Sequence, residues 1–506
     1  MQRRDFLKYA TAISGASIVP QILSADDSSN FSDFKAIVMV DLQGGNDALN
    51  TFIPTSSDSK SGYDNYVKQR GSVISIPNND MMSDLQALVN NSGKLEITAA
   101  ERNPYYENLD ELKSYMKGFY LLDKDFESKI AVNAMMPEIA YWMDRQRGAI
   151  IQNIGNIIGP YTKSELKNNT SKLTPGLFAH NLQNRLAHIG MASSLNISTG
   201  WLGRLADEWG DVNSDKIYKM NINLSGYGIE RAMFGETTNP MNYSYNGPTK
   251  LSGKIKRGFE EWVNKGTSED IFQNLYANIR SSSYNESVAT IQDWEDIKKN
   301  NPFEDVTDVY GNYIYKGEDV SKAQMGLSGS IHTRDIESFK TAARLIAIAK
   351  KKGFKRITLS IVMGGFDQHS NLIGSHSLRL RALSMGIDAF MRGMESLGSL
   401  DEVALISLSD FSRSTAGNSN GSDHAWGGSQ FVLGAVNAGN YGSFPDLTVG
   451  GSMDISSRGR IIPTTSYSQY YATVLKWFGA NNNEINYALP ELKNFSTKDL
   501  GFMKIS

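Results

Sequence analysis

A chain of 506 residues that is 40% hydrophobic and 21% charged can bury a large core, which excludes the disordered, fibrous and polytopic membrane classes. Its net charge of -3 supplies no concentrated cationic surface with which to displace counterions, so no nucleic-acid partner is expected. The absence of cysteine removes disulfides and thiolate chemistry from consideration.

Residues 1–25, MQRRDFLKYATAISGASIVPQILSA, place Arg3 and Arg4 ahead of Phe6, Leu7 and Lys8, continue through a short apolar stretch, and end in the cleavage candidate Leu23-Ser24-Ala25. This resembles a twin-arginine (Tat) export signal, which implies the twin-arginine translocase as a partner and a periplasmic or extracellular destination. The apolar part is too short and interrupted for a comfortable span, so no stable membrane span is expected in the mature chain. Residues 26–35 read as a polar linker and 36–506 as a single α/β domain.

The run from Ala36 to Val40 reads as a buried strand that enters the glycine turn of DLQGGNDALNTFIP and leaves Asp47 at the edge where α/β sites form. A helix in MMPEIAYWMDRQR precedes a second strand at Gly148 to Gly155. Residues of about 205–330, rich in Tyr, Asn, Ser and Lys, read as an insertion or cap over the sheet. An amphipathic helix from Arg334 to Lys351 leads into the strand of KRITLSIVMGGFDQH, and a helix from Leu380 to Leu397 leads into that of DEVALISLSDFSR. Alternation of helices with apolar strands predicts a mostly parallel sheet flanked by helices. The following stretch, residues 407–431, is so rich in Gly, Ser and Asn that neither helix nor strand is expected there.

Acids and imidazoles gather after three of these strands: Asp47 after the first, Asp367 and His369 after the third, Asp410 after the fourth with Asp423 and His424 in its loop. Each has an ordinary explanation when taken alone. Asp47 can cap a helix, Asp367-Gln368-His369 can form an Asx turn, and the glycine-rich loop can bond to itself. If the strands are parallel neighbours, however, the groups converge at one edge, and uncompensated carboxylates there need a cation or protons. A mixed Asp and His set suits a divalent metal ion; zinc is expected, with manganese, iron or calcium as alternatives, calcium preferring all-oxygen shells. His188, His332 and His376 lie in helix-like or polar contexts and read as structural or exposed.

At these residues the chain resembles the exported bacterial family called domain of unknown function 1501. The motifs that carry the resemblance are RRDFLK, LQGGNDALNTFIP, MMPEI, LFAHNLQ, GWLGRLAD, GGFDQHSN, SDFSR, NGSDHAWGG and GRIIPTTSYSQYYATVLKWFG, in that order. The resemblance implies a relation to the alkaline phosphatase and sulfatase superfamily, with a metal site at strand ends held by Asp47, Asp367, His369, Asp410 and His424. Where that family reads Ser-His-Asn-Asp-Gln, this chain has Ala179-His180-Asn181-Leu182-Gln183, so a serine hydroxyl is missing. Phe411 follows Asp410 where phosphatases have histidine, which weakens one metal position.

Two functions follow from this reading. One is an exported metal-dependent hydrolase of phosphate or sulfate esters, such as those of a surface polysaccharide, with His180 and Thr51 as candidate catalytic residues and Thr51 a substitute nucleophile whose helix-cap role competes. The other is a non-catalytic exported protein that binds glycan or a protein partner. Ala179 favours the second; the retained acids and imidazoles favour the first.

Overall fold

Alternate residues of KAIVMVDL, Lys35–Leu42 (β1), enter two different cores: Ala36, Val38, Val40 and Leu42 one, Ile37 and Met39 the other. Such a strand must be covered on both faces. The computed structural model describes residues 31–86, 118–210, 212–213, 219–225, 231–248, 257, 261, 288–308, 313–316 and 330–505. The export leader expected at residues 1–25 lies outside the described residues.

Among the described residues the central sheet has nine strands. From one edge it runs through Gly439–Tyr441 (β13), Gly148–Gly155 (β5), Gly428–Gly434 (β12), Val403–Ser409 (β9), β1, Arg356–Met363 (β8), Asn221–Asn223 (β6) and Met241–Asn242 (β7). Thr465–Ser466 (β14) lies beside β5. Every pairing is parallel except the two made by β12, so the fold is α/β with a mostly parallel sheet, as the alternation of elements predicts. The stretch read as a cap at 205–330 also supplies β6 and β7. A smaller sheet of Phe52–Pro54 (β2), Ile130–Asn133 (β4) and Phe119–Leu122 (β3) stands beside the main one.

After β1 come the short helix Ala48–Thr51 (α1) and Tyr63–Arg70 (α2). Pro137–Asp144 (α3), Ser330–Lys351 (α6) and Leu372–Ser396 (α7) contribute to the core that takes the even residues of β1. His180–Ile189 (α4), Trp201–Trp209 (α5) and Tyr467–Phe478 (α8) contribute to the other. The last of these helices begins with a reciprocal cap in which Ser466 and Gln469 satisfy each other's backbone N–H. Helix α7 begins at Leu372, upstream of the Leu380 expected from apolar spacing, because its first turns bury His376 and Arg379 as well as aliphatics. No helix among the described residues is long and apolar enough to cross a membrane.

The stretch expected to form neither helix nor strand is a ribbon: Arg413–Gly417 (β10) pairs antiparallel with Ser422–His424 (β11), setting Arg413 opposite His424. Its small polar residues suit this role because the ribbon's side chains hydrogen-bond to its own backbone. Ser414 Oγ accepts from Asp423 N at 3.0 Å, and the Arg413 guanidinium donates to the Ser422 carbonyl.

Candidate metal centre

Strands β9, β1 and β8 are adjacent and parallel, so the segments that follow them leave from one edge of the sheet. The turn after β1 must pass close to both neighbouring segments. Gly44 (φ 113°) leaves no room for a side chain, since a Cβ would stand 2.6 Å from the Asp367 backbone N. Gly44 N donates to Asp410 Oδ2 at 3.1 Å, which fastens the turn to the end of β9.

Helix α4 carries three groups one turn apart on one face, His180, Asn184 and His188. His180 Nδ1 donates to Asp410 Oδ2 at 2.8 Å. Asn184 Nδ2 bridges two buried carboxylates, Asp41 Oδ2 at 2.9 Å and Asp410 Oδ1 at 3.0 Å. His188 Nε2 lies 3.1 Å from Asp41 Oδ2, and Gln43 donates to the same oxygen at 2.9 Å. The ribbon supplies His424, whose Nδ1 donates to the carbonyl of Phe178 at 2.8 Å.

These bonds fix the tautomers. A neutral imidazole has one donor and one acceptor nitrogen, so His180 and His424, each committed through Nδ1–H, direct Nε2 lone pairs at one another across 2.9 Å. His369 Nε2 stands 2.8 Å from the same His424 nitrogen. Asp367 completes the group, with Oδ1 3.1 Å from His369 Nε2 and 3.2 Å from His424 Nε2, and Oδ2 3.4 Å from His180 Nε2. Ligand atoms of His180, Asp367 and His424 all fall within 4.8 Å of one another.

Lone pairs and a carboxylate at these separations repel unless a proton or a cation sits among them. Around tetrahedral zinc, with bonds of about 2.0–2.1 Å, neighbouring nitrogens are about 3.3 Å apart, so the rings need to part by only about half an ångström. Two imidazole nitrogens and one carboxylate in mutual reach, with His369 Nε2 beside His424 and Asp367, fit zinc or another first-row divalent ion and do not fit calcium's preference for oxygen. The second nitrogen of two of the rings is also served as metal-binding histidines usually are, His180 by Asp410 and His424 by a carbonyl, while His369 Nδ1 stands 3.6 Å from Asp423 Oδ1, beyond hydrogen-bond reach. One side of the group is open, the Asp367 and His369 side chains keeping 43% and 48% of their exposure.

The electrostatics are uneven across the group. The hydrogen bond to Asp410 raises the pKa of His180 against the opposing pull of burial. Burial raises Asp410 although the same bond opposes it, so both partners hold on to the shared proton. Burial lowers His424, with the Phe178 carbonyl working the other way. At Asp367 burial acts upward but is outweighed by Arg413 and His180, and the carboxyl lies below its ordinary value. The Arg413 guanidinium, itself fully buried, donates to Asp367 Oδ1 at 2.8 Å.

Of the residues singled out in the sequence, the structure therefore brings together Asp367, His369, His424 and His180, with Asp410 and Asp423 behind them. Two are placed elsewhere. Asp47 turns into the protein and pairs with Arg70, both side chains fully buried, because the chain beyond the glycine turn enters α1 rather than facing the strand ends. It stands at the N-cap position of α1 but makes no side-chain cap bond, so the capping role does not describe it either. The Thr51 hydroxyl is buried and donates back to the Asp47 carbonyl at 2.8 Å, as helix threonines often do. Thr51 closes α1 and does not cap it.

Asp41, Asn184, His188 and Arg413 were not assigned from sequence. A lone acid inside IVMVDL was the available signal for Asp41, and the spacing of four from His180 was the signal for Asn184 and His188.

Residues 325–487 match the model of a family described as "Protein of unknown function (DUF1501)". That segment carries Asp367, His369, Asp410, Arg413 and His424; His180, Asn184 and His188 come from outside it. A search of curated proteins finds no match. Among solved structures, Ps i-CgsB in complex with k-i-k-neocarrahexaose aligns over 71% of this chain and 71% of that one at 11% identity and a TM-score of 0.28. Ps i-CgsB on its own aligns over the same shares at 12% identity and the same TM-score. Likeness so distant carries no argument about activity or ligand.

Proposed function

We propose that this chain, whose residues 325–487 match the DUF1501 family model, is an exported, metal-dependent hydrolase of phosphate or sulfate esters. The observation that carries the proposal is the Nε2 atoms of His180 and His424 facing each other beside the Asp367 carboxylate, both rings held through Nδ1, with His369 Nε2 close to His424 Nε2. His180, His369, His424 and Asp367 would hold the ion, zinc being the best fit. A divalent cation held there supplies Lewis acidity toward an ester oxygen.

The rest of the work belongs to the protein. Asp410 keeps the His180 proton on Nδ1 and so keeps Nε2 directed inward. Asn184 ties that carboxylate to Asp41, and Arg413 fixes Asp367 from a buried position. Ala179 has no hydroxyl and Thr51 is turned inward, so the attacking group in this reading is water. The resemblance to alkaline phosphatases and sulfatases directs the choice of ester; the export pattern of residues 1–25 directs the choice of compartment.

A second reading has a specific observation in its favour. Ala179 opens α4 where the family pattern has serine, which suits a protein that keeps the fold and a structural metal but only binds glycan or a protein partner. One experiment addresses both. Purified mature protein is analysed for metal, and Asp367→Ala and His424→Ala are analysed beside it; each variant is expected to lose the ion, and chelation is expected to lower the wild-type melting temperature. Chromogenic phosphate and sulfate esters are then tested on wild type and Ala179→Ser. Metal-free wild type whose melting ignores chelator defeats the metal reading. Bound metal with no turnover in either protein, together with glycan binding, leaves the binding protein.

A further inference from the structure

The motif that begins GRIIP has no part in the site described so far, and its second residue is unusually placed. Asp454 is fully buried and gathers four backbone N–H groups: Gly450 at 2.8 Å, Ser456 at 3.0 Å, Gly459 at 2.8 Å and Arg460 at 3.0 Å. A carboxylate so used makes residues 450–460 a rigid platform. The platform leans on the metal-site ribbon. Gly459 (φ 75°) accepts from Thr415 N at 2.9 Å, and a Cβ on it would stand 2.7 Å from Thr415 Cβ.

From this platform the Arg460 guanidinium lies over the Phe178 ring, 4.3 Å from its centroid. Phe178 is the residue whose carbonyl receives His424 Nδ1–H, and it holds a left-handed backbone, φ 70°, that a bulky side chain adopts only under constraint. One residue thus links the ring of a proposed ligand to the cation. The guanidinium itself has neither an ion pair nor a side-chain hydrogen bond among the described residues, and its Nε is shielded from solvent without a partner. The nearby acids are occupied: Asp454 by the four amides, Asp423 by Asn418 Nδ2 at 2.8 Å. Arg413, the other guanidinium at the centre, is spent on Asp367, on the hydroxyl and carbonyl of Ser422, and on the Gly44 carbonyl.

We propose that Arg460 is an anion-binding residue at the rim of the metal centre, which receives a tetrahedral oxyanion, phosphate or sulfate, carried by the ligand of that centre. Stacking on Phe178 keeps the planar fork oriented and leaves its outer N–H groups for two oxygens of such a group. The inference deepens the hydrolase reading and rests on it for the word ligand, but the anion contact itself requires no metal.

The test uses the mature protein, zinc-loaded and separately chelated, titrated calorimetrically with inorganic phosphate and with inorganic sulfate. Loss of a charge-assisted contact in Arg460→Met should weaken the preferred anion by roughly tenfold in both preparations. Arg460→Lys keeps the charge without the fork and should fall between the two. Exposed Arg458→Met should stay within about twofold of wild type, since a solvated charge outside a built site contributes little. Side-chain substitution leaves the Arg460 amide on Asp454 intact, and near-ultraviolet circular dichroism checks the fold. Arg460→Met within about twofold of wild type, Arg458→Met losing as much as Arg460→Met, or wild type binding neither anion at millimolar concentration overturns the proposal. If the Arg460 effect persists in protein that never takes up metal, the anion site stands and the metal reading fails by itself.

Discussion

Asp47 offers a sharp test of the structure against the sequence, because the two give it different work. In the structure it neutralises Arg70, with both side chains at 0% exposure. Beyond Asp47 the guanidinium has one long hydrogen bond, from Nη1 to the Ser414 carbonyl at 3.4 Å, the Tyr66 ring 5.9 Å away, and an Nε with no partner. Asp47→Asn therefore leaves a buried cation almost alone, a change that costs about 3–5 kcal/mol. Asp47 Oδ1 is itself buried without a partner, and the amide that replaces the carboxylate still has a polar atom there, so nothing offsets the loss. The assay is urea unfolding at neutral pH together with elemental analysis for metal. Asp47→Asn should unfold at clearly lower urea with its metal content unchanged, and Arg70→Met added to it should restore most of the loss by removing the stranded charge. Loss of metal at wild-type stability would refute the reasoning and return Asp47 to the ligand set.

Two further outcomes follow. Ala179 holds the extended backbone of an N-cap but makes no cap bond, so Ala179→Ser should stabilise the protein by about 1 kcal/mol in urea unfolding whether or not it gains turnover; an unchanged midpoint would show that residue 179 does not cap α4. Burial outweighs the opposing pull of Asp47 and holds His376 at about 4, below its ordinary value of 6.5, so the unfolded chain takes up more protons between those values. The corresponding stability is complete above pH 6.5 and is lost as pH falls through the window, about 2 kcal/mol of it between pH 7 and pH 5. His376→Gln, which can still donate to Asn46 Oδ1, should show a shallower loss over that range, and an identical slope in both proteins would contradict the assignment.

Strands β1, β5, β8 and β9 were legible because each is an apolar run covered on both faces, and a run of that kind has few alternatives once helices flank it; short polar strands such as β6 and β7 carry no such run. Asp367 and His369 were legible for the same reason, standing just past such a run. His424 was found while its setting was misjudged: composition alone argued against a strand, yet β10 and β11 pair because Arg413 and Ser414 bond across the ribbon, a tertiary gain that propensity does not contain. Asp41 and Asp47 show where sequence reasoning runs out. They lie on either side of the same glycine turn, and either could face the strand ends. The choice was made by residues far along the chain, Asn184 and His188 at Asp41 and Arg70 at Asp47, each giving one acid a reason to be buried where it is.

That dependence has a consequence for the family. The segment 325–487 includes the strands that carry Asp367, His369, Asp410 and His424, but the group that orients Asp410 and faces His424 is α4, outside it. The His180, Asn184 and His188 face of α4 simultaneously supplies an imidazole to the centre and satisfies two carboxylates behind it, so moving that helix would remove a donor and strand Asp41 and Asp410 together. Two buried acids without those partners would have to take up protons, and a protonated Asp410 would no longer hold His180 in the tautomer that presents Nε2. The donor set is therefore one unit with α4: a chain that kept the matched segment and lost the 180, 184, 188 stripe would retain the fold's strand ends without a centre able to hold a divalent ion in the way proposed here.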